Sequence, residues 1–124
     1  ALVVDDEPDA RELFASILES AGATVRTASS AADALRLLDE RTDVLLTDIE
    51  MPGQDGYELL RHALGARDLS SQRLVTIAVT AYARSVDRKR SLDAGFDRHL
   101  AKPVEPAELI SVIASLVSAP GLAG

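Results

Sequence analysis

The strongest constraint on the fold is an alternation. Five short apolar runs are each followed by a stretch with helical spacing. Leu2 to Val4, Thr24 to Thr27, Val44 to Thr47, Leu74 to Val79 and Arg98 to Ala101 read as strands. Pro8 suits the first position of a helix, and Ala10, Leu13, Phe14, Ile17, Leu18 and Ala21 follow at helical spacing before a stop at Gly22. Ser30 with Asp33 resembles a capping box, opening a helix whose stripe is Ala31, Ala34, Leu35 and Leu38. Pro52-Gly53 signals a turn, and Asp55 with Glu58 caps a helix through Ala63 or Leu64, with a loop from Gly65 to Gln72. Residues 84–94 are helical but weakly amphipathic, ending at Gly95. Pro106 opens a last helix carrying Leu109, Ile110, Ile113, Leu116 and Val117.

Strand–helix alternation gives a parallel sheet with helices on both faces, joined by right-handed crossovers. Val44-Leu45-Leu46-Thr47 is apolar on both faces, as buried parallel strands are. The 124 residues suffice for one domain, and 47% hydrophobic against 27% charged residues is a globular balance. With 3% aromatics, the core must be built from Ala, Val, Leu and Ile. The net charge of -7 argues against non-specific nucleic-acid binding, which needs basic side chains to neutralise phosphates. The absence of cysteine excludes disulfides, thiolate metal sites and a Cys nucleophile. No apolar run approaches the ~20 residues of a membrane-spanning helix. The first strand starts at the first residues and Ala1 is not Met, so the expectation is a domain over 1–118 taken from a longer protein, with 119–124 a tail or linker.

In open parallel sheets, ligands bind beyond the carboxyl ends of the strands, near the point where strand order reverses. Asp5, Asp6 and Glu7 follow the first strand, Asp48 the third, Thr80 the fourth, and Lys102-Pro103 the fifth. Each alone is an ordinary turn or solvated residue. Together they bring complementary chemistry to one edge. Three carboxylates in one crevice repel one another unless a cation joins them. Oxygen-only ligands suit a hard divalent ion, and few carboxylates with several waters suit Mg²⁺. Lys102 supplies a point charge for phosphate oxygens, Thr80 a hydroxyl, and a carboxylate can be the nucleophile by forming an aspartyl phosphate. Asp48 is the best nucleophile because its strand should be central; Asp5 and Asp6 then read as metal ligands.

Val4-Asp5-Asp6-Glu7, Thr47-Asp48-Ile49-Glu50-Met51-Pro52-Gly53-Gln54-Asp55-Gly56, Val79-Thr80-Ala81 and Leu100-Ala101-Lys102-Pro103 resemble the receiver domains of two-component response regulators. The motifs span nearly the whole chain. The resemblance implies a flavodoxin-like fold with strand order 2-1-3-4-5, and a cytoplasmic protein. It implies that Asp48 accepts a phosphoryl group from the phosphohistidine of a histidine kinase or phosphotransfer domain. Asp6, Asp48 and the main-chain carbonyl of Glu50 would ligate Mg²⁺, with Asp5 acting through a metal-bound water. Thr80 and Lys102 would hold phosphoryl oxygens, and Lys102-Pro103 would be cis. The switch would couple Thr80 to the ring three residues before the lysine, here His99, which is either a partly exposed polar ring on an edge strand or a working rotor that makes pH a candidate input. Glu50 and Tyr82, each two residues past a pocket residue, would tune the phosphoryl lifetime. The basic run of helix 84–94, Arg84, Arg88, Lys89 and Arg90, reads either as a solvated face or, as the resemblance implies, as part of a face with the fifth strand and last helix for an output domain or partner. Leu116 and Val117 would extend a homodimer contact or belong to the core. The stretch Ala94 to Pro103 resembles receivers of hybrid histidine kinases.

A haloacid-dehalogenase-like phosphatase also combines a nucleophilic Asp, Mg²⁺, Thr or Ser, and Lys. It needs an Asp where this chain has Glu50, and a cap for which there is no room. A dinucleotide-binding half-domain needs a Gly-rich turn where this chain has Asp5-Asp6-Glu7-Pro8. A pseudo-receiver loses pocket residues, and Asp5, Asp6, Asp48, Thr80 and Lys102 are all present.

Overall fold

The computed structural model describes residues 1–38, 42–50, 55–66, 74–81 and 85–117. Strand and helix alternate along it: β1 Leu2–Val4, α1 Pro8–Ser20, β2 Arg26–Ala28, α2 Ala31–Leu37, β3 Val44–Asp48, α3 Gly56–Ala66, β4 Val75–Thr80, α4 Ser85–Ala94, β5 Arg98–Ala101 and α5 Pro106–Val117. The strands form one parallel sheet in the order β2-β1-β3-β4-β5, the flavodoxin-like arrangement expected. The chain steps outward from β1 to β2 and then returns past β1 to β3, so the order reverses between β1 and β3.

Both sheet faces are covered, as the continuous apolar strands require. Val3, Leu46, Ile77, Val79 and Leu100 pack against Phe14, Ile17 and Leu18 of α1 and Leu109 and Leu116 of α5. On the opposite face Leu2, Val4 and Leu45 meet Ala31 and Ala34 of α2 and Leu59 and Ala63 of α3. Alanines let α2 lie close to the sheet, which suits a chain poor in aromatics. Leu116 belongs to this core, not to an exposed dimer contact.

The helix signals act as read. Ser30 Oγ accepts from the Asp33 N–H at 3.1 Å, and Asp55 Oδ1 accepts from the Glu58 N–H at 3.0 Å. Gly22 and Gly95 end their helices at φ 97° and 117°. Several boundaries differ, and, like Asp48 at the end of β3, some residues expected after a strand belong to it. β2 starts at Arg26 rather than Thr24, pairing from Arg26 opposite Leu2 of β1. α3 runs through Gly65 to Ala66, since a glycine facing open space weakens a helix without breaking it. β4 occupies Val75–Thr80, so Thr80 closes the strand instead of following it. Among the described residues no helix is long and apolar enough to cross a membrane. The Pro52-Gly53 turn, residues 67–72 of the expected loop, Tyr82, Arg84 and the tail 119–124 lie outside the described residues, as does the Val117 side chain.

Candidate functional site

The carboxyl ends of β1, β3, β4 and β5 meet at one edge, and each delivers one or two polar residues there. Asp5 directly follows β1; its N–H donates to Ala28 O at 3.1 Å, prolonging the ladder with β2. Its buried carboxylate accepts from the Glu7 N–H at 2.9 Å, turning the chain into α1. Arg11 donates to the Asp5 carbonyl at 2.8 Å, fixing the same turn from the helix side. Asp6 is exposed. Asp48 ends β3 and is 5% exposed. Its Oδ1 accepts from the Glu50 N–H at 3.3 Å. Gly56 opens α3 against it: a Cβ there would lie 2.7 Å from the Asp48 carbonyl oxygen and 2.9 Å from Ile49 Cα, so only glycine lets the helix start so close.

One oxygen each of Asp5, Asp6 and Asp48 lie within 4.8 Å of one another. Lys102 reaches into this cluster, its Nζ 3.2 Å from Asp5 Oδ2 and 3.4 Å from Asp48 Oδ2. Its own N–H donates to Thr80 O at 2.8 Å, and the Lys102–Pro103 peptide is cis, as expected. Burial pushes the Asp48 carboxyl up to about 6; Lys102 opposes that rise, while Asp5 and Glu50 add to it. Burial pulls Lys102 down, but the charge of Asp48 and the contacts of Asp5 outweigh it and hold the ammonium above its usual range. Three carboxylates cluster here, and the Lys102 ammonium reaches two of them. The donors are all oxygen and two of the three are buried, which suits a hard divalent ion such as Mg²⁺.

Thr80 is buried, and its hydroxyl donates to the Glu50 carboxylate. Glu50 thus reaches Thr80 with its side chain while also acting on Asp48. His99 pairs in register with Ala78 and Thr80 with Ala101, so His99 and Thr80 share a face of the sheet. His99 is half-buried, and its Nδ1 is buried without a hydrogen-bond partner among the described residues. The basic run on α4 is not wholly solvated: Arg90 stacks 4.5 Å from the centre of the Tyr57 ring.

Several residues here were missed by sequence reasoning. Arg11 carries a cation near a helix N-terminus, against the macrodipole, and that mismatch is the signal that gives it away. Tyr57 bonds Ser91 Oγ at 3.2 Å and meets Phe96 edge-on at 6.1 Å, tying α3 to α4. A fully buried serine inside a polar helix left no trace in the pattern.

The family described as the response regulator receiver domain matches residues 1–114. The chain is 46% identical over 114 residues to the uncharacterized 14.6 kDa protein in the sodA1 3′ region of Leptolyngbya boryana, covering 90% of this chain and 85% of that protein. It is 41% identical over 104 residues to the sensor histidine kinase RcsC of Escherichia coli, covering 83% of this chain but 10% of RcsC. The crystal structure of a CheY-like response regulator receiver domain protein from Methanospirillum hungatei JF-1 superposes with a TM-score of 0.81 at 33% identity, covering 94% of this chain and 90% of that one. With the family matched over most of its length, this chain belongs to the response regulator receiver domains of two-component signalling.

Proposed function

We propose that Asp48 accepts a phosphoryl group from the phosphohistidine of a histidine kinase or phosphotransfer domain. One Asp48 oxygen attacks phosphorus, an O–P bond forms, and the N–P bond breaks with its electron pair leaving on the imidazole. Phosphoryl transfer needs positioning and charge neutralisation more than covalent help. Asp6, Asp48 and the Glu50 main-chain carbonyl would hold Mg²⁺, with Asp5 acting through water. The ion, when bound, supplies positive charge to the phosphoryl oxygens. Lys102 then pairs with one phosphoryl oxygen and Thr80 donates to another.

The observation that carries this reading is the clustering of Asp5, Asp6 and Asp48 at one edge of the sheet, with the Lys102 ammonium against Asp5 and Asp48. Incubation with acetyl phosphate and Mg²⁺, followed by intact mass, tests it. One added phosphoryl group is expected, absent with EDTA and absent in Asp48→Asn. Labelling that survives Asp48→Asn refutes the assignment. A phosphatase would instead turn over a generic phosphomonoester many times; the receiver reading expects slow loss of its own phosphoryl group only.

Phosphorylation is read out through Thr80 and His99 to the face of α4, β5 and α5, which meets an output domain, a partner or a second copy of the chain. Glu50 and Tyr82 set the phosphoryl lifetime, and equal dephosphorylation rates in wild type, Glu50→Ala and Tyr82→Ala would remove that role. The unpartnered His99 Nδ1 supports a ring that moves. The site of action is the cytoplasm, where the phosphohistidine donor is expected.

A further inference from the structure

The Thr80 hydroxyl is already engaged. It donates to the Glu50 carboxylate from a position 1% exposed at the end of β4. Glu50 is exposed, and its N–H sits on Asp48 Oδ1 at 3.3 Å, so the residue is anchored to the proposed phosphoacceptor at one end and to Thr80 at the other. A hydroxyl has one proton to give. While Glu50 holds it, Thr80 cannot donate it to a phosphoryl oxygen.

We infer that Glu50 is a positioning residue that acts through Thr80: its carboxylate occupies the hydroxyl that a phosphoryl group must capture, and so weakens phosphoryl binding at Asp48. The inference rests on Asp48 being the phosphoacceptor and adds a specific competitor for the pocket.

Charge strengthens the argument. A phosphoryl group adds roughly one to two further negative charges at Asp48. Glu50 then loses its donor and faces like charge at once. Being exposed, its side chain can swing into water. The hydrogen bond therefore favours the unphosphorylated state, and its loss accompanies the switch.

Beryllium fluoride in the presence of Mg²⁺, a stand-in for the phosphoryl group, provides the test. Its half-saturating concentration is read by ¹H–¹⁵N NMR in wild type, Glu50→Gln and Glu50→Ala, each with Thr80 intact or as Thr80→Ala. Glu50→Ala should tighten binding about fivefold to tenfold, the scale of one partly screened charge contact, and Glu50→Gln, whose amide oxygen can still accept from Thr80, should gain less. In the Thr80→Ala background that gain should fall below about twofold, the expected coupling of residues joined by one hydrogen bond. Thr80→Ser, which keeps the hydroxyl, should restore it. Equal affinities for wild type, Glu50→Gln and Glu50→Ala overturn the inference. So does a gain undiminished by Thr80→Ala, because Glu50 would then act only as a diffuse charge. If wild type responds no more than Asp48→Asn, the phosphoacceptor reading itself falls, and the competitor with it.

Discussion

Asp48 and Lys102 are opposed in sign but unequal in effect. Lys102 sits 3.2 Å from Asp5 and 3.4 Å from Asp48, yet burial still holds Asp48 near 6. Its folded pKa lies above its ordinary 3.8, so the unfolded chain binds fewer protons between 3.8 and about 6. Stability of the metal-free protein should therefore decline as pH rises through that window, by on the order of 1–3 kcal/mol. Asp48→Asn should abolish the decline and melt higher than wild type at pH 7 without Mg²⁺; added Mg²⁺ should raise the wild-type Tm and barely move the variant. Thermal melts at several pH values check both statements. Lys102→Ala should act oppositely, leaving Asp5 and Asp48 uncompensated and costing about 2 kcal/mol in denaturant titrations, less than a fully buried pair because the lysine is partly exposed. The site residues were legible because charged groups at strand ends carry their position with them. The Glu50–Thr80 bond and the Arg11 anchor were not, since no spacing rule links residues 30 apart in sequence or a side chain to a carbonyl six residues back.

At the scale of elements, the junction of β3 with α3 controls the site. Gly56→Ala would drive a methyl to 2.7 Å from the Asp48 carbonyl and should cost about 2–4 kcal/mol while displacing the acceptor. Gly65→Ala, on the same helix in open space, should stabilise by roughly 0.5–1 kcal/mol. Urea unfolding of the pair, with Mg²⁺ titration calorimetry, separates backbone crowding from helix propensity: only Gly56→Ala should weaken Mg²⁺ binding. α4 has no apolar stripe, and the Tyr57–Ser91 bond with Arg90 above the ring is part of what ties it to α3. Tyr57→Phe should lower stability by about 1 kcal/mol and speed amide exchange in α4 more than in α1. Caps, prolines and glycines announced the helix ends. Strand ends were read less well at β2, because a strand's length is set by its partner, and β1 offers Arg26 its first pairing.

At the scale of the molecule, the parallel order β2-β1-β3-β4-β5 gathers residues far apart in sequence onto one edge, and Lys102 lies 97 residues from Asp5. The parallel sheet covered on both faces was legible from the alternation, whereas its strand order was legible only through the resemblance to receiver domains. Which aspartate takes the phosphoryl group is a separate matter, because Asp5, Asp6 and Asp48 offer oxygens within 4.8 Å of one another. Borohydride reduces an acyl phosphate to an alcohol and releases phosphate, marking the acceptor permanently. The protein, phosphorylated with acetyl phosphate and Mg²⁺, reduced, digested and sequenced by mass spectrometry, should carry homoserine at position 48 and nowhere else. Homoserine at position 5 or 6, or a phosphate that survives reduction on a serine or threonine, would contradict the account.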